Sequence, residues 1–454
     1  MIEEKKKNGI DMLNGSLWSG VLLFALPLAA SSIVQQLFNS ADMAVVGKFV
    51  GKEALAAVGS NGSVINLLVN VFVGLSVGAN VVISRYIGEK NEERVKKAVH
   101  SAIVLALASG IFIMCVGVAI ARPILTLMSA PEDIIDLSTL YLRIYFLGMP
   151  FLMLYNFEAA ILRSRGDTQR PLITLFISGI VNVLLNLFFV IVCRLSVAGV
   201  AIATSMSNVV SSGILFYFLT HEKGALKVYV KKLKIDKRCL LEFIRIGLPA
   251  GLQGVVFSVS NVCIQSSLNK LGSDFVAGCA AAINFEFFVY YMLNAFSQAC
   301  VTFTGQNYGA GNFKRCANVA RRCLILGFVF TSVMCAGFIF FGDRLIYIYT
   351  DDAAVAKIAL IRMTCVLSFQ FLNLFIDVLS GSMRGVGHSF VPAVISAVGV
   401  CGVRLLWVYT VFPHSPNFST LIAVYPVSWA VTAAAIVCAY FILKKKLSVI
   451  HIKN

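Results

Sequence analysis

LWSGVLLFALPLAASSIVQQLFNSADMAVVGKFVG, residues 17–51, makes two demands that pull against each other. From Leu17 to Val46 there is no Lys or Arg, and the apolar content is high enough for a helix to cross a bilayer. Asp42 nevertheless sits near the far end of that run. A carboxylate at mid-membrane costs about 2.5–3.5 kcal/mol on insertion scales, so such residues face a bundle interior and mark a path for ions or substrate. At helical spacing Ser32, Gln35, Gln36, Asn39 and Asp42 share one half of the helix, while Leu22, Leu26, Val34, Phe38 and Val45 cover most of the rest. Pro27 removes a backbone N–H, so a bend is expected near the middle of the helix.

The whole chain extends this pattern. Of its 454 residues 58% are hydrophobic and 13% charged, with a mean hydropathy of +0.84. That composition excludes an ordinary soluble domain and predicts an all-α membrane protein. Twelve apolar runs are separated by polar breaks, at about 17–46, 54–82, 95–119, 135–160, 171–192, 197–219, 239–268, 274–303, 317–341, 354–381, 390–411 and 419–443. The polar opening MIEEKKKNGIDMLNG does not read as a signal peptide. With both termini in the cytoplasm, inner segments carry 27 Lys and Arg against 6 outside, which sets the expected orientation in the plasma membrane. The net charge of +16 therefore reports topology and not nucleic-acid binding. Membrane lipid is the expected surrounding partner. Twelve cysteines without a C-x-x-C read as small packing residues, and no cofactor is expected.

The break THEKGALKVYVKKLKIDKR, 220–238, divides the chain into lobes at 17–219 and 239–443. The lobes resemble each other. Pro27 meets Pro249 and Asn39 meets Asn261 at a shift of 222, and Glu158 and Arg165-Gly166 meet Asp377 and Arg384-Gly385 at 219. Six spans appear twice in one orientation, which predicts two pseudo-symmetric six-helix bundles and favours a transporter.

The loop LRSRGDTQRP, 162–171, places a Gly for a tight turn, Asp167 and Thr168 as N-caps, and Pro171 in the next helix's first turn; MRGVGHSFVP, 383–392, is its copy. With these loops, the chain resembles the multidrug and toxic compound extrusion (MATE) family along essentially its whole length. The shared features are twelve spans, prolines in spans 1 and 7, and the span 1 acid. The resemblance implies a monomeric, ion-coupled exporter of small organic compounds, closest to the branch related to the DNA-damage-inducible protein F. It also implies a cation site in the first lobe at Asp42, Asn182, Asn186 and Thr204, with Asp42 a metal ligand only if the ion is sodium. Read from the residues alone, Asn182 and Asn186 stack one turn apart in span 5 and serve equally as interhelical hydrogen-bonders. An acid is common at the Asn186 position in that branch, so one carboxylate remains where two are usual. The second lobe has Ile264 opposite Asp42, and Phe257 and Asn373 where the sodium-coupled branch carries acids.

Gln36, Asn39, Asn261, Glu286 and Tyr290 are the expected substrate-facing residues. Glu286 shares a face with Tyr290, Asn294 and Ser297 and reads either as a receptor for a hydrophobic cation or as the partner of Arg404. Glu158 and Asp377 are expected to bond Arg165 or Arg384. The five histidines are isolated and no phosphate loop or nucleophile elbow occurs, so the chain does not read as an enzyme. The expected activity is H+- or Na+-driven antiport of organic, cationic amphiphiles. A flippase for lipid-linked oligosaccharides is the alternative.

Overall fold

A computed structural model describes residues 9–128 and 132–453. The charged start of the chain, with Lys5, Lys6 and Lys7, lies outside the described residues, and with it most of the stretch read against a signal peptide. The described chain is helical throughout, with no strand among the described residues. In order the helices are α1 (Leu17–Phe49), α2 (Lys52–Gly88), α3 (Glu92–Leu127), α4 (Glu132–Leu147), α5 (Met149–Ser164), α6 (Gln169–Leu187), α7 (Ser196–His221), α8 (Lys237–Asn269), α9 (Ser273–Gly309) and α10 (Phe313–Phe340). After these come α11 (Gly342–Leu345), α12 (Ala353–Ser368), α13 (Gln370–Gly385), α14 (Phe390–Ser396), α15 (Val403–Leu406) and α16 (Phe418–Lys453).

Ten helices among the described residues are long and apolar enough to cross a membrane, and the bent pairs α4–α5 and α12–α13 complete twelve spans. All twelve sequence runs are found. Bends of 48° and 43° fall between the members of these two pairs. At the first, Gly148 and Pro150 interrupt the helix. α1 runs through Pro27 as one helix.

The residues form two compact units. One comprises Met1–Asp11 and Ala30–Gly251, the other Met12–Ala29 and Leu252–Asn454. The division falls inside α1 and α8, just after Pro27 and Pro249. In the first unit, α2 and α8 cross at Gly74 and Gly78 against Gly247 and Gly251. A Cβ on Gly74 would lie 2.3 Å from the Gly251 nitrogen, and one on Gly78 would lie 2.4 Å from the Phe243 carbonyl. Two G-x-x-x-G stretches, GLSVG and GLPAG, permit that approach. In the second unit, α9 packs on α10, α12 and α13, and α13 also packs on α16.

The inner turns correct the register of the repeat. Gly166 and Gly387 hold the left-handed conformation, with φ of 95° and 88°. Gly385, expected to be the turn glycine, instead ends α13 against Thr304, whose Cβ a side chain there would meet at 2.8 Å. Gly166 therefore matches Gly387 and Arg163 matches Arg384, in register with Pro171 and Pro392, and Glu158 is not the counterpart of Asp377. Asp167 caps α6 as expected, accepting from the Arg170 backbone N–H at 3.1 Å.

Candidate functional site

α1 and α6 meet beside Asp42 because Gly179 leaves room for Phe38. A Cβ on Gly179 would lie 1.8 Å from the Phe38 ring. One turn further along α6, Asn182 and Asn186 are 5% and 0% exposed. Asn186 Nδ2 donates to Asp42 Oδ1 in a short contact, and also to Asn182 Oδ1 at 3.3 Å. Asn182 Nδ2 reaches Thr204 Oγ1 on α7 at 3.5 Å, and that hydroxyl donates to the Val200 carbonyl at 3.0 Å. Thr204 is also within hydrogen-bonding reach of Asp42. The four residues picked from spans 1, 5 and 6 thus form one connected polar group.

The buried Asn186 Oδ1 has no hydrogen-bond partner among the described residues. With the Asp42 carboxylate and the Thr204 hydroxyl it makes an all-oxygen set, the chemistry that receives a hard cation. Asp42 also offers an oxygen for a proton. No group of three His, Cys, Asp or Glu suited to a resident metal ion occurs among the described residues. Sequence reasoning missed Tyr141 and Tyr145, stacked 5.9 Å apart on α4 and within electrostatic reach of Asp42. Their i, i+4 spacing was the available signal.

The other expected residues divide between the two units. In the first, Gln36 is half-buried and Asn39 exposed on α1. In the second, Glu286 is bound at both oxygens by Arg362 on α12, Nε at 2.7 Å and Nη2 at 2.9 Å. Its ion partner is Arg362, not the expected Arg404, because the rotation of α12 turns Arg362 inward, where it is 4% exposed. Arg404 bonds the Asn261 side-chain oxygen at 3.0 Å and Ser428 Oγ at 3.3 Å. Both guanidinium groups lie over the Tyr425 ring, at 5.0 and 4.6 Å from its centroid. Tyr290 is exposed and within electrostatic reach of Asp377 and Arg384.

Arg165 pairs with neither expected acid, whereas Arg384 lies within electrostatic reach of Asp377. Arg165 and Arg170 both donate to Glu222, at 2.9 and 2.5 Å, and Arg384 donates to Gln253 at 2.5 Å. Glu158 is fully buried, and neither of its carboxyl oxygens has a partner among the described residues.

Comparison with known proteins fits this arrangement. The MatE family model matches twice, over residues 27–188 and 249–410, and the two matches open on the equivalent prolines Pro27 and Pro249. The probable multidrug resistance protein YoeA of Bacillus subtilis (strain 168) is 29% identical over 443 residues, covering 95% of both chains. The probable multidrug resistance protein NorM of Thermotoga maritima is 26% identical over 391 residues, 85% of this chain and 83% of its own. Among solved structures, an outward-facing multidrug resistance MATE family transporter of the MOP superfamily superposes with a TM-score of 0.88. It is 21% identical and covers 98% of this chain and 99% of its own. The twofold match over both halves of a twelve-span chain settles the assignment: this protein belongs to the MatE family, multi-pass membrane transporters and not enzymes.

Proposed function

We propose that the chain is a cation-coupled antiporter of the plasma membrane, exporting amphiphilic organic compounds in exchange for H+ or Na+. The observation that carries this reading is the connected group Asp42–Asn186–Asn182–Thr204, which joins three spans around a single carboxylate. Gln36 and Asn39, on the same helix as Asp42, are proposed to face the substrate. The excess of inner bases, 27 against 6, supports cytoplasmic termini and a cytoplasmic 220–238 linker. The chain is proposed to work as a monomer.

In this reading a cation arriving at Asp42 neutralises its charge and replaces the Asn186 bond that holds α1 against α6. α1 then bends about Pro27, and the substrate-facing half of the helix changes its exposure. One carboxylate handles one charge per cycle. Export of a univalent cation for one proton moves no net charge and follows the pH gradient. Export of a neutral compound instead responds to voltage, at about 2.3 kcal/mol per charge per 100 mV.

The test is the Asp42→Asn variant in liposomes containing only this protein, with a fluorescent organic cation as substrate and imposed pH or sodium gradients. The variant is expected to insert and bind the dye as the parent does, while neither gradient drives its movement. Gradient-driven export by Asp42→Asn at normal incorporation refutes the assignment.

A further inference from the structure

In the second unit, the position corresponding to the cation site has the opposite charge. At the inner turns the repeat runs at a shift of 221, through Gly166 and Gly387 and through Pro171 and Pro392. The span that follows then contains a π-helical stretch, Ala397–Gly402, whose wider turn takes up one additional residue. Beyond it the shift becomes 222, the shift that also separates the two family-model matches at both ends. In that register Arg404 stands where the first unit has Asn182, Asn261 where it has Asn39, and Ile264 where it has Asp42. The acid at the centre of one unit's polar group has been replaced by an apolar residue, and a neutral amide by a base.

The charges around Arg404 do not balance. It is 5% exposed, within the interior of the span Phe390–His414. A guanidinium carries its charge at any pH relevant to a protein. The nearby carboxylate, Glu286, has both oxygens occupied by Arg362. The acceptors that Arg404 does find, Asn261 Oδ1 and Ser428 Oγ, are neutral, and the Tyr425 ring is shared with Arg362. Two buried cations thus face one carboxylate. Arg404 donates through Nε and Nη1 to these neutral acceptors, while Arg362 donates through Nε and Nη2 to Glu286. Planar N–H edges of this kind match a carboxylate or another small monovalent anion.

We infer that Arg404, with Asn261, Tyr425 and the neighbouring Arg362, forms an anion site in the second unit that receives a carboxylate group of the transported compound or a free small anion. The step from site to substrate rests on the export reading above, and makes the preferred cargo an amphiphile that bears a carboxylate as well as a cationic group. Anion binding itself needs no gradient. Its failure would leave coupling at Asp42 untouched, and a failure at Asp42 would leave this site standing.

The test uses the purified full-length protein in phosphatidylcholine nanodiscs and reads tryptophan fluorescence. Trp429 reports locally, its ring lying 6.0 Å from that of Tyr425. Benzoate, benzamide and benzylammonium are titrated in a HEPES buffer free of chloride and of other carboxylates, and chloride is titrated alone. Benzoate is expected to bind and the other two aromatic compounds are not. Arg404→Gln is expected to weaken benzoate at least tenfold, and Arg404→Lys to weaken it less. Asn261→Asp supplies a carboxylate in place of the ligand, and is expected to abolish the response while the protein still melts as a folded species. An Arg404-dependent response to chloride supports the site with a free anion as its occupant, whereas response to benzoate alone supports a cargo carboxylate. Benzoate and chloride responses that are absent, or that are unchanged in Arg404→Gln and Asn261→Asp, overturn the proposal. So does equal binding of benzamide.

Discussion

Removing the acid from the Glu286–Arg362 pair should be far more damaging than removing both partners. Glu286→Leu leaves Arg362 in place at 4% exposure, its two charge-assisted bonds of 2.7 and 2.9 Å gone, beside a second buried guanidinium at Arg404. Breaking a buried pair by deleting one partner typically costs about 3–5 kcal/mol, because an uncompensated charge remains. For a folding unit of this size, each kcal/mol moves an apparent Tm by roughly 2–4 °C, so the single variant should melt roughly 6–20 °C lower. The double variant Glu286→Leu with Arg362→Met removes both charges and keeps apolar volume, and should recover most of that loss. The assay is fluorescence-detected size-exclusion of heated samples for the parent, both single variants and the double. Additive effects, or a loss under about 1 kcal/mol in Glu286→Leu, would refute the assignment of a structural ion pair. They would return Glu286 to the role of a free receptor for substrate cations.

Gly179→Ala forces a methyl group into the Phe38 ring, with an unrelaxed separation of 1.8 Å, and should destabilise the protein by about 1–3 kcal/mol while disturbing the Asp42–Asn186 contact. Adding Phe38→Leu should restore thermal stability, and a neutral effect of Gly179→Ala alone would show that α1 and α6 do not pack this closely. At the inner surface burial pushes the Glu222 carboxyl up, but bonds from Arg170 and Arg165 outweigh it and hold the carboxyl below the ordinary glutamate range. Its stabilising contribution is therefore complete above the unfolded-state value of about 4.3 and is lost as pH falls through the lower folded-state value. Glu222→Gln should flatten the acid limb of a melting curve measured between about pH 3 and 6, and an acid limb that is unchanged would remove Glu222 from that role.

The twelve spans were legible because bilayer thickness and hydropathy impose a length and a composition that no tertiary contact can disguise. That the polar residues around Asp42 meet was legible for a related reason. They are residues that an apolar helix carries only at a cost, and their spacing of one turn on α6 places them on a shared face before any packing is known. Partner choice was not legible. Arg362 and Arg404 are both buried bases within reach of the same aromatic ring, and only the rotation of each helix about its own axis decides which of them meets Glu286. Rotation is set by many small packing contacts and not by spacing along the chain. The register of the repeat was hidden for a different reason. Gly385 and Gly387 lie two positions apart, one required by a close helix contact and the other by a left-handed turn, and the sequence offers both to an alignment. A π-helical turn then moves the shift by one more residue, so an alignment held at 219 pairs Arg404 with the apolar Leu185 and conceals that it replaces Asn182. Where an internal repeat passes through irregular helical turns, charge inversion between its copies becomes visible only after the backbone has fixed the register. The bases uncovered in this way are the ones to test for binding.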